Sequence, residues 1–133
     1  MQLTENQVIV KGRVFSGEGK GRLFVNIPWA MKQFVEKLGF KPYPGTLNIR
    51  LLPEHRVTVE ILENHRGIEI VPKEGFYPGK CFKATVSGRI KGAVVIPRVP
   101  SYPKDILEII APVNLRETLG LKDGDEIEIT VLL

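Results

Sequence analysis

The chain has 133 residues, 43% hydrophobic and 26% charged, a balance that excludes a disordered chain and suits one domain with its own core. A formal net charge of +4 favours an anionic partner, nucleotide or nucleic acid, without choosing between them. One cysteine and two histidines exclude an intrachain disulfide and a cysteine metal cluster, and no apolar run reaches the ~20 residues that span a bilayer. The start of the chain lacks the basic and apolar segments of a signal peptide, so a cytoplasmic protein is expected.

Short runs of β-branched residues bounded by Gly and Pro predict a mostly β domain. Strands are expected first over residues 8–15 and 23–27. Between them, Ser16-Gly17-Glu18-Gly19-Lys20-Gly21-Arg22 places glycine at every second position, where backbone N–H groups can approach a ligand closely. With Lys20 and Arg22 alongside, this has the chemistry of a phosphate cradle. Familiar glycine-rich phosphate loops lead into a helix; here a strand is expected on both sides, so the cradle would stand on a β-scaffold. A flexible hairpin connection with solubilising cations is the plainer alternative.

A helix is predicted over 29–38, with Met31, Phe34, Val35 and Leu38 at helical spacing and Gly39 as its stop. It reads, with Phe40 and Tyr43, as core and lid packing. Pro44-Gly45 marks a turn into a strand over 46–51, and further strands are expected over 57–61, 68–71, 81–87, 90–96 and 106–110. Asn114 is a plausible N-cap for a short helix over 115–119 that stops at Gly120. Lys122-Asp123-Gly124-Asp125 reads as a tight turn into a final strand over 126–132. No linker or repeat divides the chain. Nine short strands in this length point to a small closed or nearly closed barrel whose loops form the binding surface.

Three further segments could carry chemistry. Alternation in the 46–51 strand puts Thr46 and Asn48 on one face and turns Leu47 and Ile49 to the core. A hydroxyl and an amide oxygen two positions apart can reach one magnesium ion, whose shell is completed by water and substrate phosphates; an ordinary solvated strand face is the alternative. Glu108 is the only charge in the run Ile106-Leu107-Glu108-Ile109-Ile110. It either lies on a wet face or turns into a pocket where it needs a partner. Val113-Asn114-Leu115-Arg116 opens the short helix and could hold an anion, or supply no more than a cap and a surface arginine. Cys81, in a strand-like run, reads as a small buried hydrophobe.

In this order, the segments Ser16 through Arg22, Leu38-Gly39-Phe40-Lys41-Pro42-Tyr43-Pro44-Gly45-Thr46-Leu47-Asn48, Gly92-Ala93-Val94-Val95-Ile96-Pro97, Glu108 through Arg116 and Leu121-Lys122-Asp123-Gly124-Asp125 resemble the archaeal CTP-dependent riboflavin kinase family. The resemblance covers nearly the whole chain. It implies a six-stranded cradle-loop β-barrel that transfers the γ-phosphate of CTP to riboflavin, giving FMN and CDP. It further implies nucleotide binding by Gly17, Glu18, Gly19, Lys20, Gly21 and Arg22 together with Val113, Asn114, Leu115 and Arg116. Magnesium ligation by Thr46 and Asn48 and flavin binding by Glu108 follow in the same way.

The family commonly has a flavin-contacting threonine after the Gly92–Pro97 run. Here that position falls at Pro100 or Ser101, of which only Ser101 could replace the hydroxyl. Some members carry an N-terminal winged helix; residues 1–133 are expected to form the barrel domain alone. No residue is placed well enough by the sequence to be chosen as general base. No nucleic-acid or membrane partner is expected. The competing readings are a basic barrel that binds nucleic acid and a flavin-binding protein without kinase activity.

Overall fold

The structure, a computed structural model, describes residues 2–3, 6–17 and 25–133. Glu18, Gly19, Lys20, Gly21 and Arg22 of the glycine loop, and the first two residues of the strand expected over 23–27, lie outside the described residues. The described end of that stretch is not a strand: Val25 is helical and buried, and a turn leads from it to the first long helix.

Eight strands are described: β1 (Gln2–Leu3), β2 (Gln7–Phe15), β3 (Leu47–Leu51), β4 (Ile68–Ile70), β5 (Gly79–Val86), β6 (Ile90–Pro97), β7 (Ile106–Ile110) and β8 (Glu126–Leu132). Three α-helices accompany them: α1 (Pro28–Leu38), α2 (Thr58–Glu63) and α3 (Leu115–Leu119). Six strands close on themselves in the order β2-β3-β7-β6-β5-β8 and back to β2, every pair antiparallel. β1 adds to β2 and β4 adds to β5 outside this ring. The expected six-stranded barrel is therefore present, and closure removes the free edges that an open sheet would leave.

Period-two burial explains why these segments are strands. Along β2, Val8, Val10 and Val14 are buried while Lys11 and Arg13 are exposed. They join Ile49, Phe82, Val94, Leu107, Ile109, Ile127 and Ile129 in one core inside the ring. A second core lies on the outer side of β6 and β7. There Ala30, Phe34 and Leu38, one stripe of α1, pack on Ile70, Cys81, Ala93, Val95 and Ile110. β6 and β7 are thus buried on both faces, which is why they read as continuous apolar runs. The sole charge in β7, Glu108, shares its face with Ile110 and so points away from the barrel core.

The helix ends follow local chemistry. Pro28 begins α1, where its missing N–H costs nothing. Gly39, at φ 83°, ends it by donating its N–H to the Val35 carbonyl at 3.1 Å. Asn114 caps α3, its side chain accepting from the Glu117 N–H at 3.2 Å.

Three expectations need correction. Residues 57–61 are not a strand: Val57 is the N-cap of α2 and the rest belong to it, and its Val59 and Leu62 reach the barrel core. Val35 faces solvent at 43% exposure, so the buried stripe of α1 is Ala30–Phe34–Leu38, spaced by four. Tyr43 is also exposed, its backbone N–H donating to the Ala111 carbonyl at 2.7 Å.

Candidate active site

The register of β3 against β7 and β2 builds the site. Asn48 stands opposite Glu108 on one side and opposite Phe15 on the other. Leu47 and Ile49 are buried and Thr46 and Asn48 half-buried, the alternation the sequence predicts.

Glu108 is only 6% exposed. A carboxylate so buried must be paired, and two hydroxyls do this. Thr46 donates from Oγ1 to Oε1 at 3.3 Å, and Tyr102 donates its phenol O–H to Oε2 at 2.5 Å. Burial raises the pKa of Glu108, and the bonds from Tyr102 and Thr46 act against it. The Tyr102 phenol is raised too, by burial and by the neighbouring carboxylate, so it is a fixed donor rather than a proton source.

These contacts bear on metal binding. A threonine hydroxyl that gives its proton to a carboxylate keeps its lone pairs for a cation. Asn48 adds an amide oxygen beside it. Among the described residues no cluster of three or more His, Cys, Asp or Glu could hold a metal. The donor set is therefore one of neutral, hard oxygens, which fits magnesium carried in with phosphates and would not hold a soft metal.

The stem of the glycine loop lies against the same amide. A Cβ on Gly17 would stand 2.6 Å from Asn48 Nδ2 and 3.2 Å from its Oδ1, so any larger residue would displace the Asn48 amide from its present position. Just before it, Ser16 donates from Oγ to the Asp123 carboxylate at 2.9 and 3.1 Å, and Arg116 binds the same carboxylate at 2.7 Å. Asp123 thus clips the loop stem to α3, and Arg116 foremost, with Ser16, holds its carboxyl below the ordinary range. Arg116 has five N–H donors and keeps most of its fork for another anion. A cleft of about 130 Å³ brings Thr46 together with Tyr43, Val113, Asn114, Leu115 and Arg116.

A larger cavity of about 320 Å³ is walled by Tyr102, the hydroxyl partner of Glu108. Val59, Ile96 and Val99 line it with Lys80, Arg98 and Lys104. Pro100 lines it as well, whereas Ser101 is exposed and outside it.

Thr46, Asn48, Glu108, Gly17 and the segment from Val113 to Arg116 are therefore brought around one face. The sequence reading missed Tyr102, Ser16 and Asp123. Asp123 could have been found as an acid in a turn seven residues after an arginine; Tyr102 left no local signal. Cys81 is buried, its thiol pushed up to about 12, and inert. His65 is tied to the Ile61 carbonyl at 2.8 Å, and His55 to the backbone of β2.

Fold and site together define a closed β-barrel on whose outer side a buried carboxylate, hydroxyls, an amide and an arginine converge. The family model CTP-dep_RFKase, described as "Domain of unknown function DUF120", matches residues 14–131. The chain belongs to this family, the CTP-dependent riboflavin kinase family that its motifs resemble. It is 48% identical to a riboflavin kinase of Archaeoglobus fulgidus over 97% of this chain and 57% of that protein. It is 43% identical to one of Methanococcoides burtonii over 96% of this chain and 58% of that protein. A riboflavin kinase of Sulfurisphaera tokodaii is 42% identical over 93% of this chain and 95% of its own length. The chain thus spans less than two thirds of the first two relatives and nearly all of the third. Among the described residues no helix is long and apolar enough to cross a membrane.

Proposed function

We propose that this chain is a CTP-dependent riboflavin kinase of FMN biosynthesis, acting in the cytoplasm. The 5′-hydroxyl oxygen of riboflavin attacks the γ-phosphorus of CTP and releases its proton to solvent, the bond to the β,γ-bridging oxygen breaks, and CDP leaves with the electron pair as FMN forms. The observation that carries this reading is the buried Glu108 carboxylate, bonded by Thr46 and lying opposite Asn48, on which Gly17 rests. An acceptor for a substrate hydroxyl, hard oxygen donors and the stem of a glycine cradle so share one face. The names of the family and of the relatives support riboflavin as acceptor and CTP as donor.

The residues divide the work as phosphoryl transfer requires, by positioning and charge neutralisation more than by covalent chemistry. Gly17, Glu18, Gly19, Lys20, Gly21 and Arg22 cradle the nucleotide phosphates, and Val113 to Arg116 complete the nucleotide site. Thr46 and Asn48 would hold magnesium, which supplies charge neutralisation between phosphates. Glu108 accepts a hydroxyl of the acceptor and orients it. The cavity beyond Tyr102 offers apolar surface from Val59, Ile96 and Val99 together with polar groups from Lys80, Arg98 and Lys104, a mixed lining that suits a flavin ring, with Pro100 rather than Ser101 on its wall.

The test is riboflavin phosphorylation with CTP, ATP, GTP and UTP, with and without magnesium. FMN is expected with CTP and magnesium, and Thr46→Ala or Asn48→Ala should cut turnover by about 100-fold or more. Turnover in those variants equal to the parent at low magnesium would remove the metal assignment. FMN made preferentially from ATP would remove the donor. No FMN from any donor, in folded protein, would leave a flavin-binding or nucleic-acid-binding barrel.

A further inference from the structure

Tyr102 touches both the transfer face and the large cavity. Its ring walls the cavity of about 320 Å³, and its O–H ends on Glu108 Oε2 at 2.5 Å. It belongs to the connection between β6, which ends at Pro97, and β7, which begins at Ile106. That connection has no regular structure beyond turns, one of them closed by the Tyr102 N–H on the Val99 carbonyl at 3.0 Å. Glu108, by contrast, is fixed in a strand paired on both sides. Of the two partners in this hydrogen bond, the carboxylate is rigid and the phenol is the one that can move without breaking a ladder.

A carboxylate at 6% exposure cannot be left without donors while the site is empty, since an unpaired buried charge is strongly disfavoured. Thr46 satisfies one oxygen at 3.3 Å, a long bond; Tyr102 satisfies the other at 2.5 Å. The phenol is also the chemical equivalent of what a polyol acceptor would present, an O–H directed at a carboxylate oxygen. We propose that Tyr102 is a placeholder: its hydroxyl occupies the acceptor position on Glu108 in the empty site and yields it to a substrate hydroxyl. This rests on the reading of Glu108 as the acceptor's ligand. It makes Tyr102 a positioning residue, setting the carboxylate before the substrate arrives, and not a catalytic one.

The exchange has a cost that shows in binding. Substrate entering the parent protein must first break the Tyr102–Glu108 bond, so removing the phenol oxygen while keeping the ring should tighten binding. Riboflavin Kd, followed by quenching of flavin fluorescence, is expected to fall by about 3- to 10-fold in Tyr102→Phe, the scale of one charge-assisted hydrogen bond partly compensated by water. KM for riboflavin should fall with it while kcat does not rise. In Glu108→Gln, where there is no carboxylate to hold, adding Tyr102→Phe should leave Kd unchanged.

A second readout needs no variant. In protein carrying 13Cζ-labelled tyrosine, the Tyr102 resonance should move on riboflavin addition as its phenol leaves the carboxylate. A Tyr102→Phe Kd equal to or weaker than the parent's, or a stationary Tyr102 resonance, overturns the placeholder if Glu108→Gln alone still weakens binding. If the parent itself binds no riboflavin, the acceptor reading fails and the placeholder with it. If the parent binds riboflavin and Glu108→Gln binds it as well as the parent, the same conclusion holds.

Discussion

Glu108 shows how a single residue can oppose the fold that carries it. Its burial raises its pKa above the ordinary 4.5 despite two hydroxyl donors. A raised carboxyl pKa means that the unfolded chain binds fewer protons than the folded one near that pH. The ionised side chain therefore lowers stability at every pH above about 4.5. Glu108→Gln is expected to raise the unfolding midpoint of the ligand-free protein at pH 7 by roughly 2–6 °C while cutting riboflavin phosphorylation by about 100-fold. Thermal unfolding and steady-state rates check both halves. A midpoint that falls would mean the charge is well satisfied and contributes to the fold. The sequence shows that Glu108 is unusual, because it is the sole charge among isoleucines and leucine. It does not show the hydroxyl opposite it: Tyr102 meets Glu108 through the path of the 98–105 connection, and no periodicity encodes that path.

At the scale of elements, the site is assembled from pieces that are individually ordinary. A capped helix of five residues, a tight turn and the end of a strand meet at Asp123 through Ser16 and Arg116. This clip is exposed, and exposed ion pairs add little to stability. Its consequence is positional: it fixes the stem of the glycine loop relative to Arg116. Asp123→Ala should accordingly leave the unfolding midpoint unchanged and raise the Kd for CTP by about fivefold, with riboflavin binding untouched. Titration of the two ligands separately decides it; equal weakening of both would assign Asp123 to the barrel as a whole. The turn residues Lys122 to Asp125 were legible as a turn, and the short helix was legible from Asn114 and Gly120. Their meeting with Ser16, 107 positions away from Asp123, was not. The α2 segment misled for a different reason. Val57-Thr58-Val59-Glu60-Ile61 is rich in β-branched residues, which favour strands. The helix forms instead because Val59 and Leu62, three apart, both reach the barrel core, a packing gain that overrides local propensity.

For the whole molecule, closure is the governing fact, and it reaches beyond the strands. β2 pairs with β3 only from Gly12 to Phe15. One residue earlier the ladder continues differently: the Lys11 carbonyl accepts from the Leu52 N–H at 3.1 Å, and the Lys11 N–H donates to His55 Nδ1 at 2.8 Å. His55, buried in the turn after β3, stands in for the strand residue that is missing, and its own carbonyl accepts from the Thr58 hydroxyl at 2.6 Å at the start of α2. The ring nitrogen can accept only while it is unprotonated. Burial lowers the pKa of His55 below 6.5, so between its folded value and 6.5 the unfolded chain binds more protons than the folded one. Stability from this group is full above pH 6.5 and is lost as pH falls through the depressed folded value. The contribution of His55 to the unfolding midpoint should therefore drop as pH falls from 7.5 toward 5, opposite in sign to the gain from protonating Glu108. In His55→Gln, whose amide oxygen can still accept from Lys11 but cannot take a proton in this range, the midpoint should fall less, or rise more, over this range than in the parent. An equal pH dependence in the variant would place the acid sensitivity of the barrel elsewhere than at this junction of β2, β3 and α2.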